Sequence, residues 1–121
     1  MVHLSNPAHY INTLSILPTA SQSTTVAPVV LLHGYGAGLG FFFQNFSALG
    51  AWSERRRAPV YALDWLGMGR SARVPFKVHA KRDDIPRRVA EAEGFFINSL
   101  EEWREKMGLQ KMTLVGHSLG A

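Results

Sequence analysis

The chain contains no cysteine. Disulfide frameworks, thiol nucleophiles and thiolate metal sites are therefore excluded. Formal charge is missing from its whole first part: no Asp, Glu, Lys or Arg precedes Glu54, and Arg55 is the first cation. The leading residues thus show neither the basic n-region of a secretory signal nor the arginines of a transit peptide. Of the five histidines, no two stand four apart, so the helix-borne zinc pattern is absent and no metal is expected. One uncharged apolar window, Val26 to Phe46, could be mistaken for a membrane span. It holds Pro28, His33, Gln44, Asn45 and four alternating glycines, which a lipid-facing helix does not carry together.

What remains is globular. The chain has 121 residues, 46% of them apolar and 18% charged, enough for one domain or part of one, with a modest core. The net charge of +4 comes from clusters in the second half: Arg55 to Arg57, Lys81-Arg82 and Arg87-Arg88. Two readings stand. The clusters attract anionic lipid headgroups or another polyanion, or they are solvated loops and helix faces, which charge runs more often are. No recognition motif accompanies them, so nucleic acid is not an expected partner.

Apolar periodicity orders the elements. Tyr10 to Leu17 has alternating apolar positions and reads as an edge strand, followed by a Ser/Thr/Pro-rich loop from Pro18 to Pro28. Val29-Val30-Leu31-Leu32 suits a strand buried on both faces of a parallel sheet. After a glycine turn, Phe42, Phe46 and Leu49 fall at helical spacing, and Phe41 to Phe43 read as that helix's packing face rather than a lipid slot. Val60 to Leu63 is a second strand, ending at Asp64, and a basic loop runs from Pro75 to Asp84. The longest helix should present Val89, Phe96, Leu100, Trp103 and Met107 on one face. Asp84 is its candidate N-cap, Pro86 lies in the first turn, and Lys106 and Gly108 mark its end. Arg87 and Arg88 suit a helix N-terminus poorly and predict a start a few residues later. Met112 to Val115 is the last strand. This alternation predicts an α/β fold with a mostly parallel sheet.

That last strand runs into Gly116-His117-Ser118-Leu119-Gly120, a nucleophile-elbow pattern. The serine would sit on a strained strand-to-helix turn that pushes its hydroxyl clear of the backbone. Glycines two before and two after let the elements cross closely, and the Leu119 N–H would point to a developing acyl oxyanion. His33-Gly34-Tyr35 closes an earlier strand, the position that supplies a second oxyanion donor, here the Tyr35 N–H. The plain alternatives are an ordinary turn serine and a packed core histidine. Gly67-Met68-Gly69-Arg70-Ser71-Ala72 satisfies a dinucleotide pattern, but with Pro75 following it no helix N-terminus is expected to receive a pyrophosphate.

With these residues in view, "LLHGYGAGLGFFFQNF", "VYALDWLGMGRSARV" and "SLEEWREKMGLQKMTLVGHSLG" resemble the α/β-hydrolase family. More narrowly they are similar to its glycerolipid branch, the fungal mitochondrial cardiolipin-specific phospholipases and lysophosphatidic acid acyltransferase-type proteins. The likeness covers residues 29 to 121, with 1 to 28 matching loosely. It implies a Ser–His–acid triad with Ser118 as nucleophile, acyl-enzyme chemistry, no cofactor, and a glycerophospholipid or other acyl-ester substrate. It also implies a mitochondrial or membrane-peripheral location. In the family the triad acid and histidine follow the serine at a distance beyond residue 121. The chain is therefore expected to be an N-terminal part of the fold and, by itself, inactive. Asp64 comes too early to be that acid and is read as fixing the Trp65 to Ser71 turn. His79 to Asp84 spells the branch's H-x4-D string at the wrong place in the chain and is read as coincidence. Because the branch includes a lipase co-activator lacking the nucleophile, a non-catalytic regulator is the alternative, against which Ser118 argues.

Overall fold

The computed structural model describes residues 1–121. Its centre is a four-stranded sheet built around two fully buried strands, β4 (Val29–Leu32) and β5 (Val60–Leu63), paired in parallel with Val29 opposite Val60 and Leu32 opposite Leu63. β6 (Thr113–Gly116) lies parallel on the other side of β4, and β3 (Thr13–Ile16) runs antiparallel along β5. The order is thus β3-β5-β4-β6. A separate hairpin of β1 (Val2–His3) and β2 (Tyr10–Ile11) precedes it. The expected edge strand over Tyr10 to Leu17 is there but broken at Asn12, whose backbone N–H bonds the Ser71 hydroxyl at 2.9 Å instead of a neighbouring strand.

Alternation along each strand divides the core in two. Val30, Leu32, Tyr61 and Leu63 face α2 (Ile85–Lys106) and pack with Trp65, Trp103 and Phe96. Val29, Leu31, Val60 and Ala62 face α1 (Phe46–Arg56), meeting Phe42, Phe46, Leu49 and Trp52. Trp103 anchors the first half: it is wholly buried, packs edge-on against Tyr61 at 5.8 Å, and its Nε1–H donates to Thr13 Oγ1 at 2.9 Å. Burial pushes the Tyr61 phenol up.

Helix α2 starts and stops as its caps dictate. Asp84 accepts the Arg87 N–H, and Gly108, at φ +68°, turns the chain out after Lys106. The later start suggested by Arg87 and Arg88 does not occur. Both cations are drawn off the helix axis, Arg87 to Glu91 at 3.5 Å and Arg88 to the Ala80 carbonyl at 3.2 Å, so they oppose the helix dipole weakly. Val89 also leaves the predicted face and stands half exposed, while Phe95 joins Phe96 against the core. No helix is long and apolar enough to cross a membrane; the window from Val26 to Phe46 is divided among β4, a loop and a 3-10 helix over Leu39–Asn45.

That 3-10 stretch corrects the reading of the phenylalanine triplet. Three residues per turn place consecutive side chains about a third of a turn apart, so Phe41, Phe42 and Phe43 cannot share a face. Phe42 packs on the core, whereas Phe41 and Phe43 stand in solvent, 76% and 66% exposed.

The basic loop is tied down by one carboxylate. Glu91 on α2 accepts the backbone N–H groups of His79 at 2.6 Å and Ala80 at 3.2 Å. The bond from His79, with further help from Ala80 and the Arg87 charge, holds its carboxyl below the usual range. A carboxyl lowered in the folded state contributes its anchoring above the ordinary carboxylate range and loses it as pH falls through the folded value. Protection of the His79 and Ala80 amides from hydrogen exchange, corrected for intrinsic rates, should therefore persist at neutral pH and vanish on acidification. In Glu91→Gln it should be weak at every pH.

Candidate functional site

The site lies where β4 and β6 end side by side, Leu32 opposite Gly116. Beyond that register the His117 N–H donates to the Leu32 carbonyl at 3.0 Å, carrying the pairing one residue further. The chain then bends sharply at Ser118, which adopts φ +57°. A non-glycine residue in this left-handed region is strained and persists only where its surroundings enforce it. The enforcement is visible at the two glycines. A Cβ on Gly116 would lie 2.0 Å from the Gly120 carbonyl oxygen, and one on Gly120 would lie 2.4 Å from the Leu32 carbonyl oxygen. Only hydrogen fits at either place, so the short turn after the serine folds back on its own strand and on β4.

The same closeness brings the end of β4 against the serine. A Cβ on Gly34 would stand 2.9 Å from Ser118 Cβ and 3.3 Å from its Oγ. Ser118, His117, Gly34, Tyr35 and Phe41 line a cavity of about 360 Å³. The Ser118 hydroxyl finds no partner there. His33, though 1% exposed and next to it in space, is fully engaged: its Nε2 accepts the Trp65 N–H at 3.1 Å, which leaves the proton on Nδ1 for the Gly34 carbonyl at 2.7 Å. The Trp65 indole N–H in turn donates to the His33 carbonyl at 2.8 Å. Both ring nitrogens being used, His33 cannot serve as the base for Ser118. It has a different effect. In a trans peptide the N–H points opposite to the carbonyl; the imidazole that holds the Gly34 carbonyl, helped by the Ala37 N–H at 3.3 Å, thereby fixes the direction of the Tyr35 N–H.

The N–H groups of Tyr35 and Leu119 both go unused in the chain's backbone hydrogen bonding. Both residues line a second cavity of about 380 Å³, an apolar slot walled by Leu66, Met68, Phe76, Phe95 and Phe96. Tyr35 thus borders both the serine cavity and the slot.

Asp64 is 2% exposed and does more than fix the turn that follows it. Its Oδ2 accepts the Arg70 N–H at 2.9 Å and the Asn12 side-chain amide at 2.8 Å, while Oδ1 accepts the Leu39 N–H at 2.7 Å. Its backbone carbonyl takes the Ser71 hydroxyl at 2.7 Å. The carboxylate therefore clasps the loop after β5 to the loop after β4. Gly69, at φ +52°, is required for this, because a Cβ there would fall 2.3 Å from the Asp64 carboxyl carbon. Between Gly67 and Ala72 no helix begins, the next one starting at Ile85, so these glycines shape a turn. Asp84 is spent as a helix cap and His79 is exposed, which leaves no paired site over 79–84. The apolar slot and the reach of Asp64 to Leu39 were not anticipated; the adjacent Phe95 and Phe96 were the available signal for the first.

Comparison with known proteins agrees with this fold. A family profile described as the alpha/beta hydrolase fold matches residues 27–121. A 1-acylglycerol-3-phosphate O-acyltransferase of Pongo abelii is 44% identical over 98% of this chain and 29% of its own length. A human (lyso)-N-acylphosphatidylethanolamine lipase is 38% identical over 89% of this chain and 27% of its own length. Among solved structures, the proline iminopeptidase of Mycobacterium smegmatis superposes with a TM-score of 0.62 at 20% identity, over 96% of this chain and 34% of that one; at that identity the likeness concerns the fold alone. The chain spans under a third of the length of the curated relatives it matches.

Proposed function

Since the chain belongs to the α/β-hydrolase family, we propose that the protein, at the length of those relatives, is a serine acyl-ester hydrolase or transacylase acting on glycerophospholipids. The observation that carries this is the left-handed Ser118, its hydroxyl unengaged in a cavity it shares with Tyr35, together with the Tyr35 and Leu119 N–H groups that no other group of the chain uses. Ser118 Oγ attacks the ester carbonyl carbon, and a base contributed from outside residues 1–121 takes the hydroxyl proton. The carbonyl oxygen becomes an oxyanion, which the Tyr35 and Leu119 N–H groups stabilise. Collapse of this intermediate expels the alcohol, which leaves with a proton, and the acyl group remains on Ser118. Water or the hydroxyl of a lysolipid then attacks the acyl-enzyme, giving hydrolysis or transacylation. No cofactor enters either step.

The slot beside Leu119 supports an acyl chain as the group transferred, because its walls are almost wholly apolar. The activities of the two relatives, one an acyltransferase on 1-acylglycerol-3-phosphate and one a lipase on an N-acylated phospholipid, support glycerophospholipids as the substrate class.

A fluorophosphonate reagent discriminates this reading from a non-catalytic one, since it reacts only with an activated serine. Incubation with the full-length protein should yield a single adduct, mapped by peptide mass spectrometry to Ser118. An unmodified Ser118 under conditions that label a control serine esterase would assign the protein to a non-catalytic role in lipid metabolism instead.

A further inference from the structure

Around the mouth of the serine cavity the chain places large aromatic side chains where a soluble surface has no use for them. Tyr35 is 84% exposed, and Phe41, Phe43 and Phe76 are each more than half exposed. They are neighbours. Tyr35 and Phe41 line the serine cavity together, Tyr35 and Phe76 line the apolar slot, and Phe41 and Phe43 share with Arg70 the wall of an adjoining cleft of about 830 Å³. Contiguous exposed apolar surface of this kind marks an interaction site.

The two loops that carry these rings hold cations and no acidic side chain; Asp83 and Asp84 follow them, Asp84 as the α2 cap, and the Glu91 carboxylate is held by the His79 and Ala80 N–H groups. From residue 65 to residue 82 the chain carries Arg70, Arg73, Lys77, Lys81 and Arg82 and no acidic residue. The segment that carries Tyr35, Phe41 and Phe43 has no acid either, Glu54 being the first in the sequence. Asp64, which lines the adjoining cleft, is buried and occupied by three N–H donors. Arg70 and Lys77 are exposed, and the ion pairs between cationic and acidic side chains lie elsewhere, on α2. Arg73 folds its guanidinium over the Gly67 and Gly69 carbonyls at 2.9 and 2.7 Å, which fixes its position without neutralising it.

We infer that this aromatic, cationic rim docks the protein onto an anionic phospholipid bilayer, with the mouth of the Ser118 cavity facing the headgroups. The occupant follows from the chemistry. Rings at the headgroup boundary bury their apolar faces in acyl chains, while the flanking cations meet lipid phosphates and carboxylates. A soluble anion would use the cations and leave the rings in water. The inference rests on the proposed reaction in one respect only: a lipid acyl chain has to leave its bilayer to enter the slot, and the docked rim puts the slot's Tyr35–Phe76 edge at the place where it leaves.

Co-sedimentation of the full-length protein with phosphatidylcholine vesicles, with and without phosphatidylserine, tests this. Binding should favour the anionic vesicles and weaken with added salt, as screened charge requires. Arg70→Gln with Lys77→Gln should remove that preference, at about fivefold in affinity per charge. Phe43→Ser should weaken binding to both vesicle types. Equal binding of wild-type protein to neutral and anionic vesicles, or variants that bind like wild type, would overturn the proposal and mean that another segment of the protein covers the rim. Fluorophosphonate labelling, read in the absence of vesicles, keeps the two proposals apart. An unlabelled protein that still binds anionic vesicles through Phe43 and Arg70 refutes the chemistry and supports the docking; a labelled protein indifferent to both substitutions does the reverse.

Discussion

Ser118→Ala in the full-length protein should lower acyl-ester turnover by about four to six orders of magnitude in kcat. The size follows from what the alanine removes and what it leaves. The nucleophile goes, and with it the covalent intermediate that splits acyl transfer into two easier steps. The Tyr35 and Leu119 N–H groups and the apolar slot stay, and such remnants typically retain about 10³- to 10⁴-fold acceleration over water. No neighbour takes over. His33 has both nitrogens committed to backbone partners, and water attacking directly would have to enter without the strained turn that aims the hydroxyl. The variant should fold normally, since a methyl group is smaller than the hydroxymethyl it replaces and the Ser118 side chain makes no hydrogen bond. Alanine at φ +57° meets the same backbone strain that serine does. Steady-state kinetics on a short-chain acyl ester, with the unfolding midpoint measured alongside, checks both halves. Turnover within tenfold of wild type would rule out Ser118 as the nucleophile.

Asp64→Ala should be the most damaging single change to the fold. Three donors lose their acceptor at once: the N–H groups of Leu39 and Arg70 and the side-chain amide of Asn12. A buried donor left unpaired costs about 1–3 kcal/mol. Asp64 borders the cleft beside Gly38 and Gly69, so entering water recovers part of that, and the net loss should be roughly 3–5 kcal/mol. Against a typical domain stability of about 5–15 kcal/mol, this brings the protein to the edge of unfolding. Asp64→Asn should fall between alanine and wild type. Its oxygen can serve one side of the clasp, but its amide nitrogen then faces N–H donors on the other. Urea denaturation of the full-length protein reads the series directly, and an alanine variant with the wild-type midpoint would show that the clasp contributes nothing.

Much of this architecture was legible because it rests on short-range rules. Val29–Leu32 and Val60–Leu63 are apolar at every position, as strands covered on both faces must be, and Asp84, Pro86 and Gly108 bound α2 by local capping alone. The tight turn at Ser118 was legible for a related reason: Gly116 and Gly120 are required by contacts within a few residues of each other and with the Leu32 carbonyl. What escaped depends on partners distant in sequence or on how successive side chains fan around a helix. Asp64 reaches Leu39 only because β4 and β5 lie side by side. Phe41 and Phe43 point outward because successive helical side chains stand more than a quarter of a turn apart, so only one of the three can face the core.

The parallel pairing of β4 with β6 has a temporal consequence. Ser118 and Tyr35 arrive on segments separated by about two thirds of the chain, and they become neighbours only when two crossover connections have docked. Long-range closure of that kind is slow. A nascent or refolding polypeptide therefore passes through compact stages in which helices and individual β segments exist before Ser118 and Tyr35 are brought together.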